Sequence, residues 1–300
     1  MKLLKKIYNC LLGLLGCCFP VYRSKRLYKK MTGRKLNITN PQTLNEKLMY
    51  YKFNLYWKNE VVNRCTDKYQ VREYVEKNGL GHLLNEVYGV WDEPEDIEWD
   101  KLPERFVLKL NTGSGANIIC KDKNLLDKKA TIKQLKKWSK KNYGYLTAEQ
   151  GIYYNQPMKI IAEKYIDNKK NTPPDDFKVF CSYGEVKLLF VACDRYEHKT
   201  KFDFYTPDWK WIDVKNCHPN NGPIAKPNNL DSILEYASKL SKPFPLVRVD
   251  FYDVNETIIF GEMTFTHMGC IHPFDPDKYD LEFGNLFPNV KDANKILKKD

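Results

Sequence analysis

The stretch Phe106-Val107-Leu108-Lys109-Leu110-Asn111-Thr112-Gly113-Ser114-Gly115 runs an apolar strand into a lysine and then into a glycine-rich turn. It constrains the fold more than any other segment. A strand fixes where the ammonium points, and the glycines let several backbone N–H groups close on one anion. That combination suits the phosphates of a nucleotide, although two glycines in a turn also make ordinary hairpins. The order of the parts excludes two common phosphate binders. No G-x-x-x-x-G-K-[ST] occurs, so there is no P-loop. A kinase glycine loop precedes its strand lysine, whereas here the lysine comes first.

Helices and strands alternate along the rest of the chain. Residues 20–60 read as helical, broken at Asn40-Pro41, with Thr43-x-x-Glu46 forming a capping-box pattern ahead of Leu48. Thr66 or Asp67 opens a further helix that stops at Asn78-Gly79, and Asp127 opens a basic amphipathic helix to about Asn142. Strands are expected at Glu86 to Val90, Phe106 to Leu110, Asn117 to Lys121 and Met158 to Ile166. Two hairpins follow: Phe177 to Tyr183 with Glu185 to Cys193, and Leu246 to Tyr252 with Thr257 to Thr264. Residues 200–230, rich in Pro, Asn, Asp and Trp, read as irregular loop ahead of a helix from Leu230 to Leu240. Strand pairs with intervening helices predict an α+β protein with antiparallel sheets.

Alternation in the last hairpin sends Val247, Val249 and Phe251 to one face and Arg248, Asp250 and Tyr252 to the other. On the returning strand Phe260, Glu262 and Thr264 share a face. Asp250 and Glu262 are therefore lone carboxylates in apolar strands, and burial of each calls for a cation. Mg²⁺ is one candidate, since it takes hard oxygen ligands and bridges nucleotide phosphates. A structural bridge from Asp250 to Arg248 or a lysine is the other. A tight turn at Val254-Asn255 would offset the two carboxylates by about 10 Å, so a shared ion requires a wider or bulged turn. In Ile160-Ile161-Ala162-Glu163-Lys164-Tyr165-Ile166, a free strand edge could present donor and acceptor to adenine and Glu163 to its ribose; a plain amphipathic edge strand explains the pattern equally. His267-x-x-Cys270-x-His272 has irregular metal spacing, and His267 suits a polar wall of the same cleft.

Charge and cysteine usage bound the setting. The net charge is +11, yet ten Lys and Arg precede residue 36 and no acidic residue precedes Glu46. Such a block favours an anionic partner. Leu4, Ile7, Tyr8, Leu11, Leu15 and Cys18 recur at helical spacing opposite Lys2, Lys5 and Lys6, but the apolar run Cys10 to Phe19 is far short of the roughly 20 residues of a spanning helix. This leaves a helix lying on the inner membrane face and a helix packed on the body of the protein. Leu14-Leu15-Gly16-Cys17 resembles a lipoprotein cleavage box. A nucleotide site belongs in the cytoplasm, however, and nine scattered cysteines without a C-x-x-C read as reduced. No RNA- or DNA-binding module is recognisable, so a nucleic-acid partner is not expected.

Five ordered motifs between about Tyr28 and Pro288 carry a family resemblance. Asn40-Pro41-x-Thr43-x-Asn45-Glu46-Lys47, Asp67-Lys68-Tyr69-x-Val71-Arg72-Glu73-Tyr74, Leu102-Pro103-x-x-Phe106-Val107-Leu108-Lys109, Asp176-Phe177-Lys178-Val179-Phe180 and Arg248-Val249-Asp250-Phe251-Tyr252 resemble the TupA-like (teichuronopeptide-biosynthesis) branch of the ATP-grasp superfamily. The resemblance implies ATP held between two antiparallel α+β subdomains behind a helical N-terminal extension. On this basis residues 1–60 form a basic helical region, 61–105 an N-terminal lobe, 106–165 a glycine-loop lid, 166–290 a C-terminal subdomain with the metal site, and 291–300 a basic tail. Lys68 and Lys109 would hold the α- and β-phosphates, with Lys178 among the nucleotide contacts. The turn carrying Asn111, Gly113, Ser114 and Gly115 would close over the phosphates. The backbone at Lys164 and Ile166 would take adenine and Glu163 the ribose. Asp250, Glu262 and Thr264 would bind Mg²⁺. Thr112 departs from the pattern, standing where this branch has His.

The implied activity is an ATP- and Mg²⁺-dependent ligase that joins a carboxylate to an amine through an acyl phosphate. Its substrates would be a uronic-acid-containing glycan precursor and an amino acid or amino sugar, in a cytoplasmic protein with peripheral contact at the inner membrane face. Arg195 and Arg248 are the candidates for orienting the carboxylate or the transferring phosphoryl group, because Arg grips both bidentately. His198 and Lys199 are secondary candidates, and Asp194-Arg195 also fits a surface ion pair. The rival enzymatic reading is a glycosyltransferase using Asp275-x-Asp277 on a nucleotide sugar.

Overall fold

Two antiparallel sheets of unequal size carry the fold. The computed structural model describes residues 13–291 except positions 15, 141–143, 145–147, 155, 169–172 and 196–198. The amphipathic pattern of residues 1–12, His198 and the tail from 292 onward lie outside the described residues. The chain first builds α1 (Pro20–Thr32), α2 (Leu44–Asn54), α3 (Glu60–Thr66) and α4 (Val71–Lys77). The capping box forms as its spacing predicts: Glu46 N–H donates to Thr43 Oγ1 and Thr43 N–H to Glu46 Oε2, each at 3.3 Å.

The smaller sheet has the order β1-β4-β2-β3, from β1 (Val87–Trp91), β2 (Phe106–Leu110), β3 (Asn117–Cys120) and β4 (Ile160–Lys164). Helix α5 (Lys128–Ser139) packs over it, capped by Asp127, which accepts from Ala130 N–H at 2.9 Å. Phe106, Leu108 and Leu110 with Ile160 and Ala162 and Leu135 form its own small core. Alternation then leaves Val107, Lys109, Ile161 and Glu163 on the other face. Because β1 belongs to this sheet, its strands come from both sides of the expected division at 105/106. The free-edge reading of β4 fails for the same reason, since β1 and β2 flank it on both sides.

The larger sheet has the order β11-β10-β5-β6-β7-β8. It comprises β5 (Asp176–Ser182), β6 (Glu185–Cys193), β7 (Lys201–Tyr205), β8 (Trp211–Ile212), β10 (Val247–Val254) and β11 (Thr257–Thr264). A two-stranded piece pairs β9 (Lys215–Asn216) with β12 (Phe274–Asp275). Helix α6 (Leu230–Ser241) covers one face, and α7 (Lys278–Asn285) packs on α2. Both expected hairpins form. Residues 200–230, expected as loop, contain three short strands. Phe202 and Phe204 pack on Phe190 with ring centroids 4.7 and 4.8 Å apart, and that burial overrides the turn-rich composition. Among the described residues no helix is long and apolar enough to cross a membrane.

Candidate active site

A cavity of about 650 Å³ lies between the sheets, with Lys68, Lys109 and the glycine turn on one side. Lys109 reaches it from the face of β2 opposite the small core, and its Nζ lies 2.6 Å from Glu163 Oε2. Half-buried Lys68 donates from Nζ to the carbonyl of Gly113 at 2.7 Å. Burial lowers its pKa below the ordinary lysine value, with nearby Glu262 opposing the shift. Gly113 and Gly115 have φ of 77° and 75°, a left-handed conformation that glycine adopts without a Cβ penalty. Ser114 and Gly115 are exposed at the cavity wall.

Four of the expected nucleotide contacts have protein partners of their own or lie outside the cavity lining. Asn111 is fully buried: its Nδ2 donates to Asp67 Oδ2 at 2.6 Å and Pro157 O at 3.0 Å, while Oδ1 accepts from Lys159 N–H at 2.8 Å. Its amide is spent on holding the base of the glycine turn. The Lys164 backbone is also engaged, its N–H by Glu86 O at 2.9 Å and its carbonyl by Asn85 Nδ2 at 2.8 Å. Glu163 is paired with Lys109 and does not line the cavity. Ile166, half-buried two positions past β4, is outside the lining as well. Thr112 sets its Oγ1 3.8 Å from Met158 Sδ.

The larger sheet faces the same cavity with rows of charge. Arg248 stands opposite Thr264; Asp250 stands between Glu262 and Lys178; Tyr252 stands opposite Asp176. A bulge makes the first two rows possible. Val254 pairs with Thr257 and Phe251 with Phe260, but Asp250 pairs with Glu262, leaving Gly261 as the surplus residue. A Cβ there would sit 3.0 Å from Asp250 O, so this close approach favours glycine. The bulge also corrects the expectation from alternation. Phe260 packs against Phe251 with centroids 6.1 Å apart, away from the face of Glu262 and Thr264. The expected 10 Å offset of the carboxylates is removed.

Cations meet those carboxylates closely. Arg248 donates from Nε to Asp250 Oδ1 and from NH2 to Oδ2, both at 2.7 Å, with further contacts to Glu262 Oε1 at 3.2 Å and Thr264 Oγ1 at 3.0 Å. Lys178 Nζ bridges Asp250 Oδ2 at 2.5 Å and Asp176 Oδ2 at 2.7 Å. Arg195 pairs with Asp176 at 3.1 Å, which replaces the expected pair with Asp194. Burial works against the charge of Arg248 and of Arg195, but Asp250 and Asp176 respectively outweigh it, and both arginines titrate above their ordinary value. Buried Asp176 Oδ1 has no hydrogen-bond partner among the described residues. Asp176 and Tyr252 were not singled out from the sequence, yet each lies two positions along a strand from a residue that was.

His267 is buried behind this array, which overturns its reading as a cleft wall. Its Nδ1 lies 2.7 Å from Arg248 NH1, which can only donate, so Nδ1 accepts and the proton sits on Nε2, 3.1 Å from Asn216 Oδ1. Burial, then Arg248 and Lys178, hold its pKa well below the ordinary histidine value. The unfolded chain therefore binds this proton near pH 6.5 and the folded chain does not. The stability that neutral His267 supports is complete above about pH 6.5 and falls as the pH drops below it. Urea midpoints of the wild type and His267→Gln at pH 7.5 and 5.0 check this: the wild-type advantage is expected to shrink at the lower pH. An unchanged difference contradicts the assignment.

Asp250, Glu262 and Thr264 present only oxygen, the donor type Mg²⁺ takes. Glu262 keeps 40% of its side chain exposed, whereas Asp250 spends both oxygens on Arg248 and Lys178. Among the described residues no group of three or more His, Cys, Asp or Glu is placed to hold a metal. That donor set fits an ion which draws most of its oxygens from phosphates and water. The alternative motif lies elsewhere: Asp277 pairs with Arg34 at 2.8 Å, Asp275 is exposed, and neither lines the cavity. Lys199 is exposed and also outside the lining.

The family model described as TupA-like ATPgrasp matches residues 46–288. Among solved structures, the chain is similar to a D-alanine–D-alanine ligase from Bacillus anthracis complexed with ATP, at 16% identity over 67% of this chain and 55% of that one, with a TM-score of 0.42. It is similar to the ADP complex of an N5-carboxyaminoimidazole ribonucleotide synthetase at 14% identity, over 73% and 50% of the two chains, with a TM-score of 0.42. An L-amino acid ligase from Bacillus licheniformis matches at 15% identity, over 67% and 42%, with a TM-score of 0.41. The chain thus spans about half the length of these structures. A search of the curated proteins returns no match.

Proposed function

The chain belongs to the TupA-like ATPgrasp family, and from that membership and the charge pattern of the cavity we propose that it is an ATP- and Mg²⁺-dependent carboxylate–amine ligase working through an acyl phosphate. The observation that carries the reading is convergence. Lys68 and Lys109 from one side, and Lys178, Arg195 and Arg248 with two facing carboxylates from the other, line one cavity.

The chemistry follows from what these groups can do. Lys68 and Lys109 bind and orient the phosphates of ATP, while the glycine turn supplies backbone N–H donors and shields the site from water. Asp250, Glu262 and Thr264 would hold Mg²⁺, which supplies charge neutralisation on the phosphates. Transfer of the γ-phosphoryl group to a substrate carboxylate breaks the bond to ADP and forms the acyl phosphate. Arg195 and Arg248 orient the acceptor carboxylate and stabilise charge on the moving phosphoryl group. The amine then attacks the acyl carbon and phosphate leaves. Asp176 Oδ1, buried and lacking a partner among the described residues, supports a role in accepting an N–H of the incoming amine. The substrates we propose are a uronic acid of a cell-surface glycan precursor and an amino acid or amino sugar.

Phosphate release from ATP tests the reading across a panel of uronic acids and amino acids or amino sugars. Release that requires one carboxylate and one amine together, with equimolar ADP and amide, is the expected result. ATP-independent turnover, or stimulation by nucleotide sugars alone, overturns it.

A further inference from the structure

Helix α1 has two chemically different sides. Ser24 and Tyr28 are buried, Leu27 lines the cavity, and Gln150 Nε2 ties the preceding turn down through Gly16 O at 2.6 Å. The outward side exposes Val21, Tyr22, Lys25, Arg26, Lys29 and Lys30. Just ahead of it Leu14 is 57% and Phe19 62% exposed, large values for apolar side chains. None of the four basic residues on that side makes an ion pair among the described residues, and the chain carries no acidic residue before Glu46 to neutralise them.

We propose that this side of α1 is a docking surface for an anionic lipid bilayer. Interleaved aromatic, aliphatic and basic side chains match a membrane interface, where apolar groups enter the headgroup boundary while each cation gains from the negative surface potential. A purely electrostatic partner such as a nucleic acid would leave Leu14, Phe19, Val21 and Tyr22 in water. A second copy of the chain would bring the like charges of the two helices together. Since the opposite side of the same helix lines the cavity through Leu27, docking would place the cavity beside the bilayer. The proposal is independent of the ligase reading and its readout does not involve ATP.

Cosedimentation of the full chain with phosphatidylcholine vesicles, with and without phosphatidylglycerol, tests it. Binding is expected only with phosphatidylglycerol and should weaken with salt. The quadruple variant Lys25→Glu, Arg26→Glu, Lys29→Glu, Lys30→Glu should bind at least about thirtyfold more weakly. Phe19→Ser with Tyr22→Ser should also lose binding, with thermal melts confirming that both variants fold. Equal binding by wild type and variants, or no binding at all, overturns the proposal. So does dimerisation that requires Phe19 and Tyr22, which assigns the patch to a second copy. Oligonucleotide binding of equal strength and variant sensitivity, without vesicle binding, also overturns it.

Discussion

Asp250→Asn is expected to lower kcat for ATP turnover by about a thousandfold and to destabilise the fold by about 3 kcal/mol. The first effect follows if Asp250 and Glu262 jointly hold the metal, since an amide leaves one carboxylate for the ion. The second does not depend on function. Asp250 is 1% exposed and takes two hydrogen bonds from Arg248 and one from Lys178. Asparagine keeps much of the shape but removes the charge, leaving two cations close together with less compensation. A shift in Tm of about 5 °C is the calorimetric expectation for a chain of this size. Single-turnover phosphate release measures the kinetic part. A variant with near wild-type kcat removes the metal assignment; unchanged stability removes the account of the buried array.

Lys109→Met is expected to raise the KM for ATP by about 30–100-fold with a much smaller change in kcat, as loss of ground-state and transition-state binding together predicts. The substitution also strands Glu163, which is 11% exposed in its side chain and meets Lys109 at 2.6 Å. That carboxylate would then repel phosphate. The double variant Lys109→Met, Glu163→Gln separates the two causes. It should recover the stability lost in the single variant and part of the affinity, never all of it. Isothermal titration with ADP, paired with thermal melts, gives both numbers. Full recovery of ADP affinity in the double variant would mean that Lys109 serves only to neutralise Glu163.

Local sequence chemistry made much of this architecture legible. Period-two alternation exposed both hairpins, and the Thr43/Glu46 pair announced a helix start that forms as expected. The strand lysine, the glycine turn and the two carboxylates were each visible one by one. What stayed hidden depends on contacts between distant segments. Alternation put Phe260 and Glu262 on one face, because nothing short of the pairing itself says which residue bulges. Asn111 looked like part of a phosphate loop, yet its partners Asp67, Pro157 and Lys159 come from two other segments. His267 read as a cleft residue because its true neighbours, Arg248 and Asn216, are 19 and 51 positions away. Segment 200–230 misled through composition, since Phe202 and Phe204 find their packing on a strand formed earlier in the chain.

An ammonium has three protons, and the one Lys68 gives to Gly113 O leaves two for an incoming anion. On the proposed reading one nitrogen is both hinge pin and ligand, so an anion bound there would feel the position of the turn, and the turn would feel the anion. In that case tightening one contact would tilt the other through a single shared atom.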